Sequence, residues 1–173
     1  MRGVFFLTLI IFFFTTNAYS TNIRVLDLQK VIENNNNLSI LYKKINDDQV
    51  SHNLEFKNEE INLQNELDRI EKLNLILDPA ELEIEIETYN TNLNNFNKKI
   101  DKLNLHYDNQ INNLKQKILN NILEILKKYS LDNDIDLILD SNNYVLSNNS
   151  INITNVIIEQ LNKIKIEINF EKY

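Results

Sequence analysis

The sequence has almost none of the two residues from which tight turns are built. Its 173 residues include one glycine and one proline, Gly3 and Pro79, whereas average proteins contain about 7% glycine and about 5% proline. Compact all-β and α/β domains need many turns, and turns use backbone angles that these two residues supply. The shortage excludes collagen-like, multi-turn β and glycine-rich phosphate-binding architectures. It predicts few, long elements.

Cysteine and an excess of basic residues are also missing. Without cysteine, no disulfide can stabilise the chain, so stability must come from packing or from association between copies. The chain has 25 acidic and 18 basic residues, a net charge of −7. Because nucleic-acid phosphates require a basic surface, this balance argues against a nucleic-acid partner.

The first twenty residues have the pattern of a cleaved secretory signal. A basic Met1-Arg2 start precedes an apolar run from Val4 to Phe14, and small residues follow at Ala18 and Ser20. Eleven apolar residues rise only about 16 Å as a helix, too short for a hydrocarbon core of about 30 Å. We expect residues 1–20 to be removed near Ser20, which leaves 17 basic and 25 acidic residues and a net charge of −8. No later stretch is long and apolar enough for a transmembrane segment.

The middle of the chain carries the periodicity of long amphipathic helices. Between residues 82 and 129, apolar residues recur every three or four positions, at Ile86, Tyr89, Leu93, Phe96, Ile100, Leu103, Tyr107, Ile111, Leu114, Ile118, Ile122, Ile125 and Tyr129. Polar residues fill the intervening positions, as in a coiled-coil seam. A noisier seam begins at Leu38 and ends at Leu77, with interruptions at Gln49, His52 and Glu60.

A single reversal separates the two seams. Asp78 can cap a helix, Pro79 fits the first helical position, and Glu81 lies three residues after the cap. One helix should therefore end near Leu77 and the next begin at Pro79. The prediction is an antiparallel helical hairpin arm over residues 34–129 with its tip at 77–81. Arms of about 40 to 50 residues would be roughly 60 to 75 Å long.

Short β-like segments flank the arm. Strands are predicted at 23–27, 134–140 and around Tyr144 to Leu146, and Thr154 can cap a final helix. We expect residues 21–33 and 130–163 to form a β body with this C-terminal helix. The tail at 164–173 alternates apolar and polar residues and could add an edge strand or stay frayed.

The predicted β body is too small to be stable alone, since domains below about 60 residues are marginal. Pairing of strand edges between copies would supply the missing core, so at least a dimer is expected. The residues expected to build this oligomerisation body are Ile23, Val25, Ile135, Leu137, Leu139 and Val145.

The order of these parts resembles the Skp/OmpH family of periplasmic chaperones for outer-membrane proteins. The resemblance rests on the segments 23–32 and 134–140, on the Leu-Asp-Pro-Ala-Glu tip at 77–81 and on a last helix opening near 153–154. It implies a mainly α fold, a long coiled-coil hairpin inserted in a small β body, and a homotrimer. It also implies a periplasmic, ATP-independent holdase that encloses unfolded β-barrel proteins between its arms.

The charge of the tip departs from this resemblance. The best-studied members have basic tips, whereas acidic residues outnumber Arg69 and Lys72 here, at Asp78, Glu81, Glu83, Glu85 and Glu87. Attraction between the tip and a membrane is therefore not expected from charge. The candidates for contact with unfolded proteins are Leu54, Leu75 and Ile84, which lie outside the seams, and Tyr42 and Phe56 if they face inward.

No catalytic constellation is evident. The sequence has no nucleophile elbow, no cysteine and no glycine-lined oxyanion site, so neither an enzyme nor a cofactor is predicted. If the hairpin folds back at residues 78 and 79, His52 and His106 could lie at one level of its arms, near Asp47, Asp48 and Asp108, where a metal site is conceivable. Two surface polar residues brought together by chance are the preferred interpretation. The alternative to a chaperone is a structural or adaptor coiled coil of the cell envelope, which should carry a second continuous apolar seam.

Overall fold

The chain folds into a small body with one long helical hairpin. The computed structural model describes residues 20–173, so the predicted signal peptide lies outside the described residues except for Ser20. The elements in chain order are strand β1 (Ile23–Leu26), helix α1 (Leu28–Glu33), helix α2 (Asn36–Leu73), helix α3 (Pro79–Asp132), strand β2 (Leu137–Asp140) and helix α4 (Thr154–Leu161). The mainly α fold with a hairpin inserted between the strands is as predicted.

Capping residues fix both arms of the hairpin. The Asn35 side chain accepts a hydrogen bond from the Asn37 amide and begins α2. At the tip, Asp78 accepts from the amides of Ala80 and Glu81, and Pro79 is the first residue of α3. The predicted reversal is confirmed. At about 1.5 Å per residue the 38 residues of α2 and the 54 of α3 are about 57 and 81 Å long.

The first arm ends earlier than predicted. Helix α2 stops at Leu73, four residues before Leu77, and Asn74 follows it as the C-cap with helical backbone angles. The amides of Leu75 and Ile76 then bond to carbonyls three residues back, so a tighter turn replaces the α-helical ladder. Leu75 and Ile76 are left 87% and 79% exposed at the tip.

The apolar core lies where the hairpin meets the body. Four of its residues have no exposed surface: Val31 of α1, Ile118 and Ile122 of α3, and Ile157 of α4. Leu38 and Leu41 of α2 complete the junction. Beyond the level of Leu103, only Leu63, Ile70 and Phe96 of the arm are buried, so the outer hairpin has much less apolar packing than its base.

Polar contacts replace apolar ones between the outer parts of the arms. Arg69 pairs with Glu85, the Asn92 amide donates to Glu66, and Lys99 pairs with Glu59 at 2.8 Å. Exposed contacts of this kind add little to stability, because water and salt screen them. Their main effect is on which residues of the two arms face each other.

The sheet has two parallel strands. β1 and β2 pair in the register Ile23 with Leu137 through Leu26 with Asp140. On the other side of β1, Val25 forms a single parallel bridge with Asn152. The hairpin is therefore the crossover between two parallel neighbours.

The strand predicted around Tyr144 to Leu146 is wrong. These residues form no strand in the described chain, and the side chains of Val145 and Leu146 are almost completely exposed. The cause is local competition, because the free edge of β1 is bound by the segment at Asn152, whose neighbour Ile153 donates its amide to the Val25 carbonyl.

After α3, an aspartate occupies a backbone conformation in which glycine is usual. Asp134 has a φ of 49°, the only positive value in the described residues. This left-handed conformation normally favours glycine, and aspartate and asparagine are the residues that tolerate it next best. The chain reverses here, and the Ile135 amide bonds to the Ser130 carbonyl. Residues 20–173 contain no helix with the length and apolar character needed to span a membrane.

Candidate functional site

The hairpin presents isolated apolar side chains to solvent along its length. Four of the five residues predicted to contact unfolded proteins are exposed: Tyr42 by 45%, Leu54 by 68%, Leu75 by 87% and Ile84 by 65%. The fifth, Phe56, is half-buried. Its ring packs edge-on against Phe96 of the opposite arm, with centroids 6.2 Å apart, so Phe56 belongs to the seam.

Sequence reasoning missed further exposed apolar residues on both arms. They are Ile40, Val50 and Ile61 on α2 and Ile86 and Leu105 on α3. All except Ile86 stand outside the predicted seams, which is the signal that could have identified them. Together with the predicted four, they make a mixed surface in which apolar side chains are separated by charged and amide side chains.

The tip of the arm is acidic. Asp78, Glu81, Glu83 and Glu87 are exposed there, while Glu85 is paired with Arg69. This arrangement favours repulsion from anionic surfaces.

A second apolar surface lies on the body, along the free side of β2. A groove of about 370 Å³ runs between β2 and the last turns of α3, with Leu123, Leu126, Ile135 and Leu137 among its lining. Leu123 and Leu137 are 54% and 45% exposed. An unpaired strand edge beside exposed leucines is a surface on which another β-edge can add.

The residues predicted to form the oligomerisation body occupy different environments. Ile23, Ile135 and Leu139 are half-buried, and Val25 is buried inside the single chain. Leu137 and Val145 are the two that face solvent most openly. Val25 is therefore a core residue of the body, and Leu137 and Val145 are available for contact.

Hydrogen bonds fix the helices of the body to the sheet. Asp140, at the end of β2, accepts from the Leu28 amide at 3.0 Å and so holds the start of α1. This bond, followed by bonds from Asn142 and the Ser141 amide, lowers the pKa of Asp140 below its ordinary value against the opposing effect of burial. On the other side, the Asp27 amide donates to the Thr154 hydroxyl at the start of α4.

The tail, residues 164–173, lies along the hairpin. It is neither of the two alternatives considered, since it forms no strand and Ile166 is 7% exposed in the main core. Its last residue contacts both histidines. The rings of His52 and His106 each meet the Tyr173 ring edge-on, with centroids 5.6 Å apart.

Asp48 is the polar centre of this contact. It is 6% exposed, and its Oδ2 accepts from the Tyr107 hydroxyl at 2.8 Å and from the Tyr173 amide at 3.0 Å. Burial by itself would raise the pKa of Asp48, but these two hydrogen bonds and the nearby His52 outweigh it and lower the pKa. Burial, followed by the bond to Asp48, raises the pKa of Tyr107.

The two histidines do lie at one level of the hairpin, as predicted. They meet through the Tyr173 ring, and the described residues include no group of three His, Asp or Glu side chains placed to hold a metal ion.

Comparisons with known proteins agree with this architecture. The family described as outer membrane protein (OmpH-like) matches residues 22–161. No curated protein matches the chain significantly in sequence. A crystal structure from Caulobacter crescentus CB15, described as a candidate outer membrane chaperone (OmpH-like), superposes with a TM-score of 0.64 and 13% identity, covering 88% of this chain and 90% of that one. At that identity the likeness shows the fold, whereas the family match covers most of the sequence. The chain therefore belongs to the OmpH-like outer membrane protein family.

Proposed function

We propose that the protein is an ATP-independent holdase chaperone of the periplasm, which keeps unfolded outer-membrane β-barrel proteins soluble. The observation that carries the proposal is a charged helical arm with separated, exposed apolar side chains in a chain of the OmpH-like family. Such a surface offers many weak contacts to an unfolded chain and no fixed pocket. A holdase of this kind stabilises the unfolded state by mass action and needs no catalytic residue.

A homotrimer is the assembly we propose. The groove beside β2 and the exposed Leu137, Val145 and Leu146 give the body an apolar surface without a partner in the single chain. Joining three bodies through this surface would place three arms around a shared volume. Charge on the arms would keep them apart, since each mature chain carries a net charge of −8.

The alternative, an adaptor coiled coil, needs a second apolar seam on the outside of the hairpin. The large exposed apolar residues of α3 are Ile84, Ile86, Leu105, Leu123 and Leu131, at intervals of 2, 19, 18 and 8 residues. These intervals do not follow the three- and four-residue spacing of a helix-packing seam. On α3, the irregular spacing therefore supports a chaperone.

The test is suppression of aggregation. A urea-unfolded outer-membrane barrel is diluted into buffer with the protein from Thr21 onward, and light scattering follows its precipitation. We expect suppression that needs no ATP. The variant Leu54→Ser/Ile84→Ser should suppress less at the same concentration, because both side chains are exposed and their loss leaves the fold intact.

The matched control is Asn62→Ser/Asn90→Ser, which changes two exposed polar residues on the same arms and should leave suppression unchanged. Sedimentation equilibrium measures the assembly, and Leu137→Asp should shift a trimer toward monomer. Failure of the unaltered protein to keep the barrel soluble would refute the chaperone. A monomeric mass at the working concentration would refute the trimer.

A further inference from the structure

The tail is bound to the hairpin with the side-chain alternation of a β-strand. Its apolar residues Ile164, Ile166, Ile168 and Phe170 are buried or half-buried against the core. The residues between them, at 165, 167, 169 and 171, are exposed. The segment is therefore an extended chain with one face on the protein, although no neighbouring strand pairs with it.

Side chains of the hairpin replace the missing strand. The Gln110 amide donates to the Glu171 carbonyl at 2.8 Å, and its oxygen accepts from the Glu171 amide at 2.9 Å. One glutamine thus satisfies the donor and the acceptor of a tail residue, as a paired strand would. The Tyr173 amide donates to Asp48. Because these bonds reach only the backbone of the tail, they do not depend on its side chains.

The surface under the tail has the remaining features of a peptide groove. We define the tail groove by Leu41, Lys44, Asp48, Gln110 and Leu114. Lys44 lies over the Phe170 ring, with Nζ 6.0 Å from its centroid. Beside Ile168, a cavity of about 390 Å³ between Leu41 and Leu114 stays unfilled. The tail therefore occupies the groove without filling it, so other side chains can be accommodated there.

We propose that the tail groove binds extended segments of unfolded β-barrel proteins, and that the tail competes with them for it. This inference rests on the proposed function. Membrane-spanning β-strands are segments of about ten residues that alternate apolar and polar side chains, and the tail alternates in the same way from Ile164 to Glu171. Backbone bonds with pockets for alternate side chains are the mode by which strands are recognised.

Competition by the attached tail should lower the apparent affinity of the groove for an external segment. An attached competitor acts at an effective concentration of the order of millimolar, and the apparent affinity of a client falls by the fraction of grooves that are free. Releasing the tail should therefore strengthen binding of an external segment, whereas loss of Gln110 should weaken it.

The test compares three forms of the full chain. Ile168→Asp/Phe170→Asp puts two charges on the bound face of the tail and should release it. Asn162→Asp/Asn169→Asp adds the same two charges at exposed positions and should leave it bound. The probe is a fluorescein-labelled peptide of residues 163–173, and its anisotropy gives the dissociation constant. Far-UV circular dichroism checks that each variant keeps its helices.

We expect the released variant to bind the peptide at least tenfold more tightly than the unaltered chain and the control variant. Adding Gln110→Ala should weaken that binding, and a peptide with the same composition but grouped apolar residues should not bind. Equal affinities for all three forms would refute competition by the tail. Binding of the peptide with grouped apolar residues as strong as that of the probe would refute recognition of alternating segments by the tail groove. If the released variant loses its helices, a chain ending at Lys163 replaces it, with the same expected results.

A second measurement separates this inference from the proposed function. In the aggregation assay, the released variant should suppress precipitation of the barrel at a threefold lower concentration than the unaltered chain. If the unaltered chain suppresses precipitation and the released variant suppresses it no better, the proposed chaperone function is supported and competition by the tail is refuted. If the unaltered chain does not suppress aggregation, the chaperone fails, and the peptide titration still decides whether the groove binds extended segments.

Discussion

The hydrogen bond between Tyr107 and Asp48 should be among the strongest polar contacts of the hairpin. Tyr107 is 2% exposed, and its hydroxyl donates to an ionised, 6% exposed carboxylate across the two arms. Hydrogen bonds to charged groups contribute about 1.5 to 3 kcal/mol when the site is buried. We therefore expect Tyr107→Phe to lower the free energy of unfolding by about 1.5 to 3 kcal/mol.

The effect should depend on pH with a definite sign. Because the pKa of Asp48 is lower in the folded chain than the ordinary value of about 3.9, its stabilising contribution is present above that value. It is lost as pH falls through the folded pKa. Protonation converts the contact into a neutral hydrogen bond, which contributes about 0.5 to 1.5 kcal/mol. The penalty of Tyr107→Phe should therefore shrink in acid.

Urea unfolding followed by circular dichroism at 222 nm measures this penalty. All variants are compared at one protomer concentration, since association changes apparent stability. Tyr42→Phe is the matched control, because that ring is 45% exposed, and its effect should stay within about 0.5 kcal/mol. A Tyr107→Phe penalty at neutral pH no larger than that of the control would refute the buried contact.

Three further predictions concern the body, the tip and the core. Asp140→Asn should reduce the loss of stability that occurs as pH falls below about 4, the ordinary pKa of an aspartate, because the pKa of Asp140 is lowered in the folded chain and its contribution disappears as pH falls through that pKa. The pH dependence of the urea midpoint measures this, and an unchanged profile would contradict it. Asp78→Ala should destabilise the start of α3 by about 0.5 to 2 kcal/mol through loss of its cap, seen as faster amide exchange at 80–83, whereas protection equal to the parent's would contradict the cap. Ile118→Ala, at a site with no exposed surface, should cost about 2 to 5 kcal/mol, and a thermal midpoint within 1 °C of the parent's would show that the site is not part of the core.

The features that local chemistry determines were predictable from the sequence. The reversal at Asp78 and Pro79 depends on residues within one turn, and the seam of α3 repeats often enough that single exceptions do not hide it. The early end of α2 was missed because Leu77 continues the apolar period. From Leu75 onward, bonds to carbonyls three residues back interrupt the α-helical ladder, and the apolar period does not show this change.

Features that depend on contacts with residues distant in the sequence were harder to predict. The segment from Tyr144 to Leu146 has strand-like residues, yet the edge it would need is bound by Asn152. Asp48 and Gln110 looked like ordinary surface residues of helices, because nothing near them in the chain indicates that the tail covers them. The interruption of the α2 seam at Gln49 and His52 was the available signal, and it marks the place where the tail lies.

The parallel pairing of β1 with β2 has a consequence for how the protein folds. The contact between Ile23 and Leu137 joins residues more than 100 positions apart, and contacts of that separation slow folding because the intervening chain must first be brought together. The hairpin does this through contacts that are local near its tip and extend stepwise toward the body. The two helices should therefore pair first next to Pro79 and then progressively toward the body, and the sheet should form last. A chain synthesised from its N-terminus would keep β1 unpaired until residues beyond 140 had followed.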